Sequence, residues 1–128
     1  MSNKKNEYMI DTDVLFQHLT HEKNTKSDLE KVMECGICFT TVINSAELYF
    51  ASRKKEEKKL VDALMRSVNV LGFHSRYSLL VNEFIDKVDS VRDALFCATA
   101  KISKLPIVTY NKEKYSLTGI KIIDPNNL

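Results

Sequence analysis

Glycine is scarce. Only Gly36, Gly72 and Gly119 occur in 128 residues, so neither a glycine-rich phosphate loop nor a dinucleotide-binding fingerprint can be assembled. That removes the commonest functions of chains that alternate strands and helices. Long apolar runs are missing too, and no stretch suits a membrane span. The opening segment Met1-Ser2-Asn3-Lys4-Lys5-Asn6-Glu7 is polar, with no apolar signal core behind it, so a cytoplasmic protein without membrane association is expected. Charge of one sign is not in excess: 19 Lys and Arg against 17 Asp and Glu leave +2, a weak argument for nucleic acid.

Metal-binding and nucleophile patterns are equally thin. His18, His21 and His74 show no ligand spacing. Cys35 and Cys38 form a CxxC, but there is no second pair, and Cys38 enters an apolar stretch instead of opening a helix. A redox pair or half a zinc site is therefore disfavoured, and Cys97, in an apolar helix, reads as a small core residue. No serine, cysteine or histidine nucleophile stands out, and there are no internal repeats or low-complexity segments.

What is present suits one globular domain spanning residues 1–128, with 44% hydrophobic and 28% charged residues. The stretch Tyr8-Met9-Ile10-Asp11-Thr12-Asp13 runs apolar residues straight into aspartates. It reads as a buried parallel strand ending in carboxylates, and in open α/β sheets ligands sit outside the carboxyl ends of the strands.

Further elements follow in alternation. Val14 to Leu19 is a short helix, and Ser27 with Glu30 forms a capping box for the next, which Gly36 suits as a C-terminal cap. Ile37 to Thr40 is a strand. Asn44 or Ser45 opens a helix carrying Glu47, and the charge run Arg53 to Lys59 reads as a solvated face or a helix corner ahead of an RNA contact. Val68 to Leu71 is a third strand, and Tyr77 to Val88 gives the cleanest amphipathic helical pattern. Asp89-Ser90 breaks that pattern and offers an N-cap to a central helix from Val91 to Ile102. Pro106 to Thr109 and Ile120 to Ile123 are the last two strands, around a polar turn at Asn111 to Leu117. The expectation is α/β: a mostly parallel sheet with helices on both faces.

Asp11, Glu47, Asp93 and Asn111 stand just beyond strand ends or early in the following helices. Each has a bland reading, since an acid at a helix start complements the dipole. However, Glu47 sits among apolar and small residues, and Asp93 precedes an almost wholly apolar helix, so both should lie near the core. Clustered carboxylates repel unless a cation neutralises them. Hard oxygen ligands without histidine or thiolate favour magnesium or manganese, which can activate water against a phosphate. Three acids and an amide suit one divalent ion.

With these residues in place the chain resembles a PIN domain of the VapC-type toxin branch. The resemblance rests on Ile10-Asp11-Thr12-Asp13-Val14-Leu15, Thr41-Val42-Ile43-Asn44-Ser45-Ala46-Glu47-Leu48, Asp93-Ala94-Leu95-Phe96-Cys97-Ala98-Thr99-Ala100 and Ile107-Val108-Thr109-Tyr110-Asn111-Lys112-Glu113-Lys114-Tyr115. It implies a three-layer α/β/α sandwich and a magnesium- or manganese-dependent endoribonuclease cutting RNA, often tRNA. It also implies a homodimer held inactive by a cognate antitoxin. By position, Asp11, Glu47 and Asp93 correspond to metal-binding catalytic acids, Thr12 to a supporting hydroxyl, and Asn111 to a fourth catalytic residue. Lys114 stands where many relatives carry a further aspartate, and Asp13 stands where asparagine or serine is common. The lysines Lys54, Lys55, Lys58, Lys59 and Lys112 could meet an RNA backbone without reading sequence.

Two other readings remain. A PIN-like domain weakened by Lys114 could serve as an RNA- or protein-binding module. Alternatively, Asp11-x-Asp13 at a strand end is similar to the aspartyl pair of haloacid dehalogenase phosphatases, although Leu15 stands where that motif wants threonine or valine.

Overall fold

A computed structural model of the chain describes residues 6–128; the polar opening stretch expected to carry no signal core lies, over residues 1–5, outside the described residues. Five strands form one sheet, β1 (Asn6–Ile10), β2 (Gly36–Thr41), β3 (Asn69–Leu71), β4 (Ile107–Val108) and β5 (Ile122–Ile123), in the spatial order β3-β2-β1-β4-β5. Every pairing is parallel, with Tyr8 opposite Cys38 and Ile10 opposite Val108. The order reverses direction at β1, so a switch point lies between β1 and β4 at their carboxyl ends, where α/β sheets take ligands.

Among the described residues six α-helices connect the strands: α1 (Thr12–Thr20), α2 (Asp28–Cys35), α3 (Val42–Ala51), α4 (Lys55–Ser67), α5 (Tyr77–Leu80) and α6 (Val91–Ser103). They cover both faces. Tyr8 and Ile10 point into a core shared with Val14, Leu15, Leu29, Val32, Leu48, Val61 and Leu64 of α1 to α4. Met9, between them, points the other way into a second core with Phe84, Ala94, Phe96, Ala98 and Tyr115. This alternation is the period of two of a strand. It explains why β1 is apolar at every position from Tyr8 to Ile10, as a doubly covered parallel strand must be. The expected three-layer α/β/α sandwich is therefore the observed fold, with a sheet parallel throughout.

The caps show where local chemistry held and where it shifted. Ser27 and Glu30 close the expected capping box of α2. Ser90 caps α6 through the Asp93 N–H. α3 starts earlier than expected, because Thr41, not Asn44 or Ser45, is its N-cap. Thr41 ends β2 and accepts from the Ile43 and Asn44 N–H groups, while Asn44 Oδ1 accepts from the Thr41 N–H at 3.0 Å. Gly36 ends α2 with extended backbone and serves close approach: a Cβ there would lie 2.2 Å from the Asn6 carbonyl oxygen of β1.

The Tyr77 to Val88 helix is corrected. Only one α-turn forms, α5, followed by a 3₁₀ turn over Val81–Phe84 and irregular chain to Ser90. Of that stripe only Phe84 is fully buried, and Ile85 is 62% exposed. No side chain caps the start of α5. Without continuous burial or a cap, apolar periodicity is insufficient to carry a helix through. The charge run opens α4 and is exposed, as a solvated face should be, with Glu57 accepting from the Arg53 and Lys54 N–H groups. Beside it, Phe50 and Leu60 are exposed, whereas Val61 and Leu64 belong to the core. No described helix is long and apolar enough to cross a membrane.

Candidate active site

At the switch point the chain builds a polar cleft of about 480 Å³. Its walls include Asp11, Asp13, Glu47, Arg92, Asp93, Asn111 and Lys114. Asp11 is the residue between β1 and α1. It caps α1, accepting from the Thr12 N–H at 2.7 Å, and is only 2% exposed. A carboxylate so buried needs partners, and it has them. Oδ1 also accepts from Arg92 Nη2 at 2.7 Å and Asn44 Nδ2 at 3.3 Å, and Oδ2 accepts from the Tyr115 hydroxyl at 2.5 Å.

Glu47 projects from α3, its carboxylate partly exposed at the cleft mouth, and accepts from the Thr12 hydroxyl at 2.6 Å. Asp93, buried in the first turn of α6, sits where the helix N-terminus favours negative charge. Three carboxylates from three elements thus converge. Asn111 lines the same cleft, but its Oδ1 is committed to capping a 3₁₀ turn over Lys112–Tyr115 by accepting from the Lys114 N–H. Lys114, the departure noted in the sequence, points inward, with Nζ 3.2 Å from Asp93 Oδ1.

Asp13 behaves differently. Its carboxylate accepts from the Val14 and Tyr110 N–H groups and the Thr109 hydroxyl, clamping α1 to the end of β4. Burial raises its pKa against the hydrogen bond from Thr109, with the Asp11 charge adding to the rise. That bonding leaves Asp13 poorly placed for the acid/base part in an aspartyl pair.

Three residues of the site were missed as site residues in the sequence: Arg92, Asn44 and Tyr115. The guanidinium of Arg92 lies between the carboxylates, within ion-pair distance of Asp11, Glu47 and Asp93 at 2.7, 2.8 and 3.1 Å. Burial pulls its pKa down, but the hydrogen bond to Glu47 and the charge of Asp11 more than offset this, so it stays charged. Asn44, fully buried, joins the α3 cap to Asp11 and to the Thr12 hydroxyl at 2.9 Å. Tyr115 donates to Asp11 and accepts from Arg92, and burial followed by the Asp11 charge raises its phenol pKa. The available signals were local: Thr41-x-x-Asn44 has capping-box spacing, and Arg92 immediately precedes the acid of the central helix. Among the described residues, none of 53–59 lines the cleft.

Comparison with known proteins agrees with this fold. The PIN domain family model matches residues 8–119. Among solved structures, the DNA-bound VapBC of Salmonella typhimurium superposes with a TM-score of 0.77 at 19% identity, covering 94% of this chain and 98% of that one. VapBC2 of Rickettsia felis bound to a promoter DNA fragment gives 0.74 at 20% identity, covering 91% and 97%. A toxin-antitoxin complex from Klebsiella pneumoniae gives 0.76 at 16% identity, covering 92% and 97%. At these identities the likeness is one of fold. No match was found among curated proteins.

Proposed function

The chain belongs to the PIN domain family, and from that premise we propose that it is a magnesium- or manganese-dependent endoribonuclease, the toxin of a toxin–antitoxin pair. The observation that carries this reading is the convergence of Asp11, Glu47 and Asp93 on one cation, the Arg92 guanidinium, at the carboxyl end of β1.

The same observation tests whether a divalent ion fits. A guanidinium bridging all three carboxylates is a stand-in cation, and the donors are hard oxygens of the kind magnesium and manganese take. Asp11, Glu47 and Asp93 would hold the ion, with Asn111 at the cleft wall orienting it or its water. With Arg92 among them, no three acidic, histidine or cysteine side chains of the described residues are gathered as a metal-binding group, and the ion would take the place of the guanidinium. When bound, the ion would lower the pKa of a water and polarise the scissile phosphate.

The chain's own residues do the rest. Tyr115, Asn44 and the Thr12 N–H fix the Asp11 carboxylate, and the Thr12 hydroxyl fixes Glu47. That preorganisation avoids rearrangement of the acids at the moment of reaction. Lys114 brings positive charge to the cleft, where a phosphodiester would be attracted without its base being read.

The RNA substrate, tRNA in this proposal, is argued from the family resemblance. So are a homodimer, a cognate antitoxin and a cytoplasmic location; exposed Phe50 and Leu60 offer apolar surface to a protein partner. A second reading, a catalytically weak binding module, is favoured by Lys114 pairing with Asp93 in place of a further acid. The deciding experiment incubates partner-free protein with total tRNA and magnesium, manganese or EDTA, comparing wild type with Asp93→Asn. Discrete fragments that need metal and vanish in the variant support the nuclease; folded protein that cuts nothing with either metal selects the binding module.

A further inference from the structure

Arg92 directs its whole donor set into the cleft. Nε lies 3.2 Å from both Glu47 oxygens. Nη2 donates to Asp11 Oδ1 at 2.7 Å, Glu47 Oε1 at 2.8 Å and Thr12 Oγ1 at 2.9 Å, and Nη1 donates to Asp93 Oδ1 at 3.1 Å and the Tyr115 oxygen at 3.0 Å. A guanidinium has five N–H donors in a rigid fork, and every nitrogen here is engaged. The guanidinium carbon also rests 5.2 Å from the Phe96 ring centroid, a cation–π distance. The side chain is still 20% exposed, and so retains a route toward solvent.

A group tied this way is more than neutral packing. Three carboxylates need compensating charge, and this chain carries the compensation in its own sequence, one residue before Asp93. A divalent ion and the guanidinium claim the same oxygens and cannot both hold them. Arg92 released at the cleft mouth would present a planar, bidentate donor fork, the group best matched to a phosphodiester.

We propose that Arg92 is a built-in counter-cation that closes the acid cluster until a phosphodiester draws it off, so that divalent metal and RNA backbone load the cleft together. This rests on the nuclease reading of the same cleft and adds its regulation: low metal affinity in the free protein, and a coupling of metal to RNA that runs through one side chain. Arg92 acts here in two ways, through the charge it gives to or withholds from the carboxylates and through the fork it turns to the phosphodiester. Because linkage is reciprocal, RNA tightens metal by the same factor as metal tightens RNA.

The test measures Mn2+ binding by the electron paramagnetic resonance of free ion, with and without a 2'-O-methylated oligonucleotide that cannot be cleaved. Wild type should bind Mn2+ weakly alone and more tightly with the oligonucleotide. Arg92→Gln should bind Mn2+ more tightly alone, by on the order of tenfold, since a unit charge a few ångströms from the ion is removed. It should also lose the effect of the oligonucleotide. Arg92→Lys, which keeps the charge without the fork, should fall between; it serves alone if circular dichroism shows Arg92→Gln unfolded. Arg92→Gln (or Arg92→Lys alone) binding Mn2+ no better than wild type overturns the proposal, as does an oligonucleotide effect that survives either substitution undiminished. No cleavage enters these measurements. Tighter metal in Arg92→Gln from a protein that cuts no RNA would retire the nuclease and keep the counter-cation; RNA cleavage by wild type with unchanged metal binding in the variant would do the reverse.

Discussion

Replacing Asn44 by aspartate changes one buried nitrogen to oxygen and should be costly for a calculable reason. Asn44 Oδ1 accepts from the Thr41 N–H and hydroxyl, and an aspartate oxygen preserves both. Nδ2, by contrast, donates to Asp11 Oδ1 at 3.3 Å and Thr12 Oγ1 at 2.9 Å. In the variant two carboxylate oxygens face one another there. At an effective dielectric of about 20 their repulsion is about 5 kcal/mol. Protonating one carboxyl instead costs about 1.4 kcal/mol for each pH unit above its ordinary value near 4, again about 5 kcal/mol at pH 7.5. Arg92, 2.7 Å from the same Asp11 oxygen, offsets part of this, so a loss of about 3–5 kcal/mol is expected at pH 7.5. The new carboxyl has a raised pKa in the fold, so its protonated form, which can donate as the amide did, is favoured there. The penalty therefore grows as pH rises and shrinks as it falls, and at pH 5.5 the gap to wild type should narrow by about 2 kcal/mol. Urea denaturation of both proteins at the two pH values measures this. A loss below about 1 kcal/mol that is the same at both would refute the Asn44–Asp11 contact and the assignment of Asn44 to the site.

Two further outcomes concern the frame around the cleft. Gly36→Ala drives a Cβ to 2.2 Å from the Asn6 carbonyl oxygen and should destabilise by about 2 kcal/mol or more through displacement of β1 from β2, whereas Gly72→Ala, with nothing within 4 Å, should change thermal stability little; equal effects would place the β1–β2 contact elsewhere. Burial pushes the Cys38 and Cys97 thiols from 9.0 up to about 12, so below pH 9 the folded and unfolded chains both keep these protons, and above it only the fold does. Stability should then fall as pH rises from 9 towards 12, and Cys97→Ala should remove about 1 kcal/mol of the fall between pH 9 and 10 in denaturation experiments, while an unchanged slope would mean that the thiol is not held from water.

The α/β class was legible because its signals are local. β1 is apolar on both faces, Ser27-x-x-Glu30 closes a box within four residues, and α6 is rich in small apolar side chains that only a central helix needs. The Tyr77 to Val88 stripe failed because periodicity says which side chains could share a face, and nothing local says whether a continuous surface exists to bury it; Ile85 ends largely exposed.

The candidate site divides along a similar line. By itself the sequence determined that acids stand at Asp11, Glu47 and Asp93, that the first follows an apolar strand, and that glycine is too scarce for a phosphate loop. Those facts depend on residue identity and spacing along the chain. Only the tertiary structure decided that Arg92 stands among the three acids, that Lys114 turns inward to Asp93, and that Asn44 and Tyr115 hold Asp11. Arg92 and Asp11 are 81 positions apart and Tyr115 and Asp11 are 104 apart. Their meeting follows from parallel strands ending at one switch point, where side chains distant in sequence must share charge and hydrogen bonds within a few ångströms.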